Sequence, residues 1–458
     1  MFVPKLEKLM GMEVYATSSF GVGGVIRQFV DDFVVEEILV DGSKAELKWS
    51  DKPKVLGSSA ERKRYPLCVL VKRNWDTFLA IKAIAEQLGI NANDIHFAGI
   101  KDAKAVTAQY ITLDGVSAEE VLKANVKDIE IHPIGYLRHK ISAYYLLGNS
   151  FNITIRSINH SKSSIKKRME KIIEESKAVG GIPNFFGHQR FGTVRPITHI
   201  VGKALVKGNF KKAIMLFLAK PSPYEHPESR KAREQLKKTQ DFRHALKSFP
   251  KKLHYEHLML KHLAQKPQDF AGAFRRLPIK LRELFPQAYQ AYLFNKFLSK
   301  RIAERLPLNK AEVGDYIVSV QRSGLPLLTM YKVVKAETLA EINEAMKAGR
   351  LQLALPLIGF RQKTSEGIQG EVEKQILEKE GITIENFKIK NMPEISPRGE
   401  LRTALTPLKN FQLKEVCADA ANPSKNMAKI SFALHRGSYA TVLLREIMKP
   451  RNLLKAGF

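Results

Sequence analysis

Strand-like text stands at both ends of this 458-residue chain and helix-like text fills its middle, and that order limits the folds open to it. Residues 24–40 (GVIRQFVDDFVVEEILV) interleave β-branched residues with charges, which predicts a strand, a turn at Asp31-Asp32 and a second strand. A polar connector over 41–65 leads to a strand at LCVLVKR. The stretch WDTFLAIKAIAEQLGI then predicts a helix with Phe78, Leu79, Ile81, Ala85 and Leu88 on one face, Asp76 or Thr77 as N-cap and Gly89 as stop. HFAGIKDAKAVTAQYITL (96–113) reads as strand, polar break, strand, and YYLLGNSFNITIRSI as a strand broken at Gly148-Asn149. From about residue 197 the pattern is mainly helical, with Tyr289, Tyr292, Leu293, Lys296 and Phe297 at helical spacing. A strand and a helix return in ISFALHRGSYATVLLREIMK. This order does not make simple βαβ repeats. It predicts an α+β fold on an at least partly antiparallel sheet, with the middle as a separate helical unit.

Charge narrows the partner. Lys and Arg number 75 against 46 Asp and Glu, a formal +29. Such a chain attracts polyanions and gains affinity by releasing their condensed counterions, so nucleic acid is the expected partner. The run from Arg230 to Lys252 carries nine Lys or Arg against two acidic residues and reads mostly as a solvated face. Cys68 and Cys417 lie in apolar surroundings, too few for a disulfide scaffold and without CxxC spacing, so a reducing cytoplasm is expected. No apolar run approaches the ~20 residues that cross a bilayer, and MFVPKLEKLMGMEVY lacks the order of a signal peptide.

Three motifs carry little. GVGGVI leads into β-rich text, whereas a dinucleotide site needs a helix there. No GxxxxGK[ST] loop is present. His254, His257 and His262 lack the cysteines or the HExxH pairing of a zinc site, so no metal is expected.

One carboxylate, Asp102, stands in the polar break of 96–113. A turn-forming aspartate would fit there equally well. Its context is more specific: FAGIKDAKAVTAQ, GNSFNITIR (148–156), PNFFGHQRFG (183–192) and the closing SYATVLLREI together resemble the TruD family of pseudouridine synthases, in its longer archaeal-type form. The resemblance implies a catalytic domain with a mixed, largely antiparallel sheet, interrupted by a mostly helical insertion (TRUD) domain, the whole V-shaped. Residues 1–195 and 396–458 would form the catalytic domain and 196–395 the insertion.

It also implies a reaction: isomerisation of a uridine in tRNA, with uridine 13 the usual target, using no cofactor or metal, by a monomer. Asp102 falls on the family's catalytic aspartate, where an ionised carboxylate can act as nucleophile or base; whether it adds to the base or promotes elimination at the sugar stays open. Arg27 falls on a basic position that can pair with it. Phe151 falls on the active-site aromatic suited to stacking on an extruded uracil, and Asn149 on an asparagine that bonds the base edge or holds the loop. Gln189 and Arg190 are candidates for phosphate or sugar contacts, with Phe185, Phe186 and Phe191 packed beneath. The alternative is a non-catalytic RNA-binding protein on the same scaffold, which has no need of Asp102, Arg27 and Phe151 together.

Overall fold

The computed structural model describes residues 2–48 and 64–458. Most of the polar connector expected over 41–65 lies outside these residues.

Eight strands form the main sheet: β1 (Phe33–Leu39), β2 (Tyr65–Arg73), β3 (Ile95–Phe97), β4 (Val106–Leu113), β5 (Ile129–Leu137), β6 (Leu146–Ile158), β13 (Lys409–Ala418) and β14 (Asn426–His435). Their order is β13-β14-β6-β1-β4-β2-β5, with β3 also on β4. Only β1 and β4 run parallel; the other ladders are antiparallel. The sheet is thus mixed, and strands from the two ends of the chain are hydrogen-bonded in it through β14 and β6. β4, at its centre, is buried along its whole length, as expected of VTAQYITL with apolar neighbours on both faces. Helices Lys162–Ala178 and Ala440–Met448 contribute Ile165, Met169, Leu443 and Ile447 to one core, with Ile153, Ile155 and Ile430 from the sheet.

Helix Thr77–Leu88 covers another part of the sheet. Asp76 caps it by accepting from the backbone N–H groups of Phe78 and Leu79, and Gly89 ends it in the left-handed conformation (φ 66°). Its buried face is the expected one in part: Ile81 and Ala85 are buried and Leu88 packs against the same core. Ala80, Ile81, Ile84 and Ala85 face the core, while Phe78 and Leu79 lie exposed.

Two strand expectations also change. Residues 24–32 do not form a strand: Val25 makes one isolated bridge to Arg156, and Val30–Asp32 is a single 3-10 turn before β1. Conversely, β6 runs unbroken through Gly148 and Asn149. Gly148 is there for closeness, since a Cβ would stand 2.1 Å from the Leu434 carbonyl oxygen on β14.

Beyond residue 197 the chain is helical to Ala303, and its long helix Ile279–Ala303 shares a core with Thr198–Val206. The mostly helical expectation omits a second sheet. β8 (Tyr316–Val320), β9 (Pro326–Val333), β10 (Leu351–Leu357) and β11 (Glu400–Thr403) form it in the order β11-β10-β8-β9. β9 lies half-buried to exposed at its edge, so PLLTMYKV shows no clean alternation to read. β11 lies just past the expected boundary at residue 395, and β7 (Ile182–Pro183) pairs with β12 (Leu405–Thr406) beside it.

Candidate active site

Asp102 sits in the loop between β3 and β4, whose two strands pair with Ile95 opposite Leu113. Its side chain is about a third exposed, at 35%, and accepts an ion-paired hydrogen bond from Arg27 Nη2 at 3.1 Å. Arg27 itself is buried and holds a left-handed backbone (φ 56°), a strained choice for a residue with a Cβ. That kink is what ends the expected strand, and it turns the guanidinium toward the loop. The guanidinium lies over the Phe33 ring, 4.0 Å from its centroid. Burial lowers the Arg27 pKa, while the Asp102 carboxylate pulls it back up.

The loop is fixed by side chains the motif does not advertise. Lys101, beside Asp102, is buried and ion-pairs with the fully buried Glu37 of β1. Glu37 Oε2 also accepts from the Tyr110 backbone N–H at 2.8 Å. Burial raises the Glu37 pKa, which the Lys101 charge opposes. Thr77 Oγ1 accepts from the Lys101 N–H at 3.1 Å. Lys72 of β2 is fully buried and donates to the carbonyl oxygens of Asp102 (2.9 Å) and Trp75 (2.6 Å). Burial pushes its pKa down to about 8, against the attraction of Asp102 and Asp76. Gln109 Nε2 donates to the Gly99 carbonyl at 3.2 Å. Three neighbours, Thr77, Lys72 and Gln109, therefore hold the backbone around one carboxylate while Glu37 holds the Lys101 side chain, the arrangement by which a rigid scaffold aims a reactive group.

Asp102 opens on a cleft of about 420 Å³, and Phe151, Asn149 and Gln189 line it with Phe33, Tyr439 and Thr441. Phe151 is buried, stacked on Phe432 at 5.1 Å and edge-on to Phe33 at 6.4 Å. The aromatic floor is thus preformed. Asn149 Oδ1 is buried without a hydrogen-bond partner, an acceptor left open in the cleft wall. Gln189 Oε1 accepts from Thr441 Oγ1 at 3.2 Å. The structure therefore brings together Asp102, Arg27, Phe151, Asn149 and Gln189. Arg190 is not among them: it faces an adjoining pocket and donates to Gln287 at 3.4 Å. Phe185, Phe186 and Phe191 are core residues, and Asn295 of the long helix bonds the Phe186 N–H (2.8 Å) and carbonyl (3.1 Å).

Of the residues that sequence reasoning missed, Lys72 and Glu37 had a usable signal. Each is a charge placed inside a strand that otherwise reads as core, in LCVLVKR and FVVEEIL. Tyr439 also had one, since it stands in SYATVLLREI, whereas Phe33 had none. Of the histidines set aside, His262 Nε2 lies 2.8 Å from Asp269 and His257 Nε2 lies near the carbonyl oxygens of Phe249 and Pro250.

A carboxylate aimed into an aromatic-floored cleft, on a chain of net charge +29, equips a protein to act on a base of a nucleic acid. A family model described as tRNA pseudouridine synthase D (TruD) matches residues 9–447. The probable tRNA pseudouridine synthase D of Methanosarcina mazei is 39% identical over 454 residues, covering 99% of each chain. That of Pyrococcus furiosus is 37% identical over 436 residues, covering 95% of this chain and 98% of its own. A crystal structure described as that of the putative tRNA pseudouridine synthase D (TruD) from Methanosarcina mazei superposes with a TM-score of 0.83 at 38% identity, covering 98% of this chain and 99% of its own. The chain belongs to the TruD family, and it is a pseudouridine synthase, an isomerase.

Proposed function

We propose that the cleft isomerises a uridine of tRNA, uridine 13 by family expectation, with Asp102 as the nucleophile or base. In this reading the target base leaves its stack and lies against Phe151, the N1–ribose bond breaks, the uracil turns, and C5 takes the place of N1. No atom is gained or lost, so no co-substrate is required. Asp102 either adds to the pyrimidine ring and then departs, or promotes elimination at the sugar. Arg27 keeps a positive charge beside it, and the open Asn149 Oδ1 accepts from an N–H on the base edge. The observation that carries this reading is the Arg27–Asp102 pair at 3.1 Å beside a floor of stacked phenylalanines.

We also propose that residues 1–195 and 396–458 act as the catalytic lobe and 196–395 as an insertion, the two forming a V around RNA. β11 argues for moving the second boundary a few residues later. Among the described residues no helix is long and apolar enough to cross a membrane. A cytoplasmic monomer remains the expectation. The test is to incubate the purified protein with bulk tRNA and no added cofactor and to map pseudouridine by its carbodiimide adduct. An adduct at uridine 13 supports the whole reading. Absence of any adduct overturns it, and binding without modification would favour the RNA-binding alternative.

A further inference from the structure

Beside the cleft lies a second pocket, of about 380 Å³, whose walls include Phe186, Arg190, Gln287, Gln290, Arg398 and Arg402. Three guanidinium groups and one carboxylate, Glu400, are its charged lining, and none of the four takes part in an ion pair among the described residues. Arg190 is poorly satisfied. Its Nη2 has only the 3.4 Å contact to Gln287, its Nε is buried without a partner, and its charge stands 5.6 Å from the centroid of the Phe186 ring. Arg402 lies 4.1 Å from the same centroid and is held by neutral acceptors only: the Asn184 carbonyl (2.9 Å), Asn184 Oδ1 (2.6 Å) and the Gly437 carbonyl (2.9 Å). Burial pushes its pKa down to about 10, and the Arg190 charge adds to that. Two cations share one aromatic ring, and the one carboxylate that attracts both, Glu400, forms an ion pair with neither. Three guanidinium groups against one carboxylate leave an excess of positive charge, and an anion entering the pocket would offset it.

The pocket adjoins the cleft. Gln189 lines the cleft and the next residue, Arg190, lines the pocket. Gly437, whose carbonyl Arg402 holds, lines the cleft as well. A strand of RNA with its uridine beside Asp102 would carry its neighbouring phosphate here. Guanidinium forks match phosphate oxygens in geometry as well as charge, which a neutral base edge would not do for a net charge of +2.

We propose that this pocket, through Arg190 and Arg398, binds the backbone phosphate adjacent to the target uridine, while Arg402 positions the Gly437 side of the cleft. The assignment rests on the reading of the cleft as the uridine site. The test pairs Arg190→Gln/Arg398→Gln with tRNA assembled to carry one neutral methylphosphonate, 5′ or 3′ of the uridine that the wild-type protein modifies. On unmodified tRNA the double variant should bind about tenfold more weakly, with a salt slope smaller by up to about one unit. At one of the two positions, methylphosphonate should weaken wild-type binding by a similar factor and the variant's no further. An unchanged salt slope in the variant, or no loss by the wild type at either position, would overturn the proposal. If the wild type makes no pseudouridine in tRNA, the reading of the cleft fails instead. The wild-type arm stands even where the variant is unstable.

Discussion

The loop around Asp102 and the run from Arg230 to Lys252 are both rich in basic residues, yet they use their charges in opposite ways. Near Asp102, Lys101 and Lys72 are buried and each has fixed partners. In the run, spread over helices Pro227–Thr239 and Phe242–Ser248 and the residues after them, eight of the nine Lys and Arg are exposed. The exception is Arg233, buried and ion-paired to Glu225 (3.0 Å) and Glu256 (2.6 Å). A buried charge that loses its partner costs about 3–5 kcal/mol, whereas an exposed pair contributes about 0–1 kcal/mol. Buried cations therefore fix geometry, and exposed ones are free to meet a polyanion. The sign of a residue does not tell which it does.

The largest effect expected is chemical. Asp102→Asn keeps the size and much of the hydrogen-bonding shape of the side chain but removes its charge and nearly all its nucleophilicity. The protein should fold and bind tRNA as before yet form no detectable pseudouridine in single-turnover assays. Retention of a tenth of the wild-type rate, about 1.4 kcal/mol of lost transition-state stabilisation, would make Asp102 a turn residue after all.

Next come the buried partners, one set from each region. Glu37→Gln strands Lys101 and Glu225→Gln/Glu256→Gln strands Arg233, so each should lower stability by about 3–5 kcal/mol in denaturant melts. Similar losses would show that burial, not region, decides. A loss in one region only would break the comparison.

Lys72→Met should be milder for the fold but should slow single-turnover conversion by about tenfold, because the Asp102 and Trp75 carbonyls lose their common donor. It has a pH signature. The Lys72 pKa is about 8 in the fold against 10.5 ordinarily, so between these values the unfolded chain holds a proton the folded chain has released. Unfolding then takes up protons, and this group's contribution to stability rises with pH across that window. Denaturant melts from pH 8 to 10 should show that slope in the wild type and lose it in Lys72→Met.

The smallest effect on the fold belongs to the exposed run. Replacing Arg230, Lys237, Lys238 and Lys247 by Gln should change stability by about 0.5 kcal/mol or less. It should weaken tRNA binding and flatten its salt dependence by up to about one slope unit per lost phosphate contact. An unchanged slope would leave these charges as a solvated face and nothing more.

What the sequence by itself determined is what near neighbours in the chain decide. Helix Thr77–Leu88 was legible because its Asp76 cap and Gly89 stop act on backbone groups within four residues. β3, the break and β4 were legible from their strand-like runs, and the motifs around Asp102 and Phe151 pointed to a cleft in which both in fact stand. The tertiary structure decided whatever depends on partners far along the chain. Arg27 meets Asp102 from 75 residues away, and only after a left-handed turn that its sequence does not announce. Gly148 looked like a break until β14 came close enough to exclude a side chain. Arg190, one residue from Gln189, went to a different pocket because Phe186 and the long helix hold that segment between two cavities. Local propensity acts over a few residues through hydrogen bonds and sterics, so it can be read along the chain. Which charges are buried, and against what, is set by packing between segments that the order of residues does not place side by side.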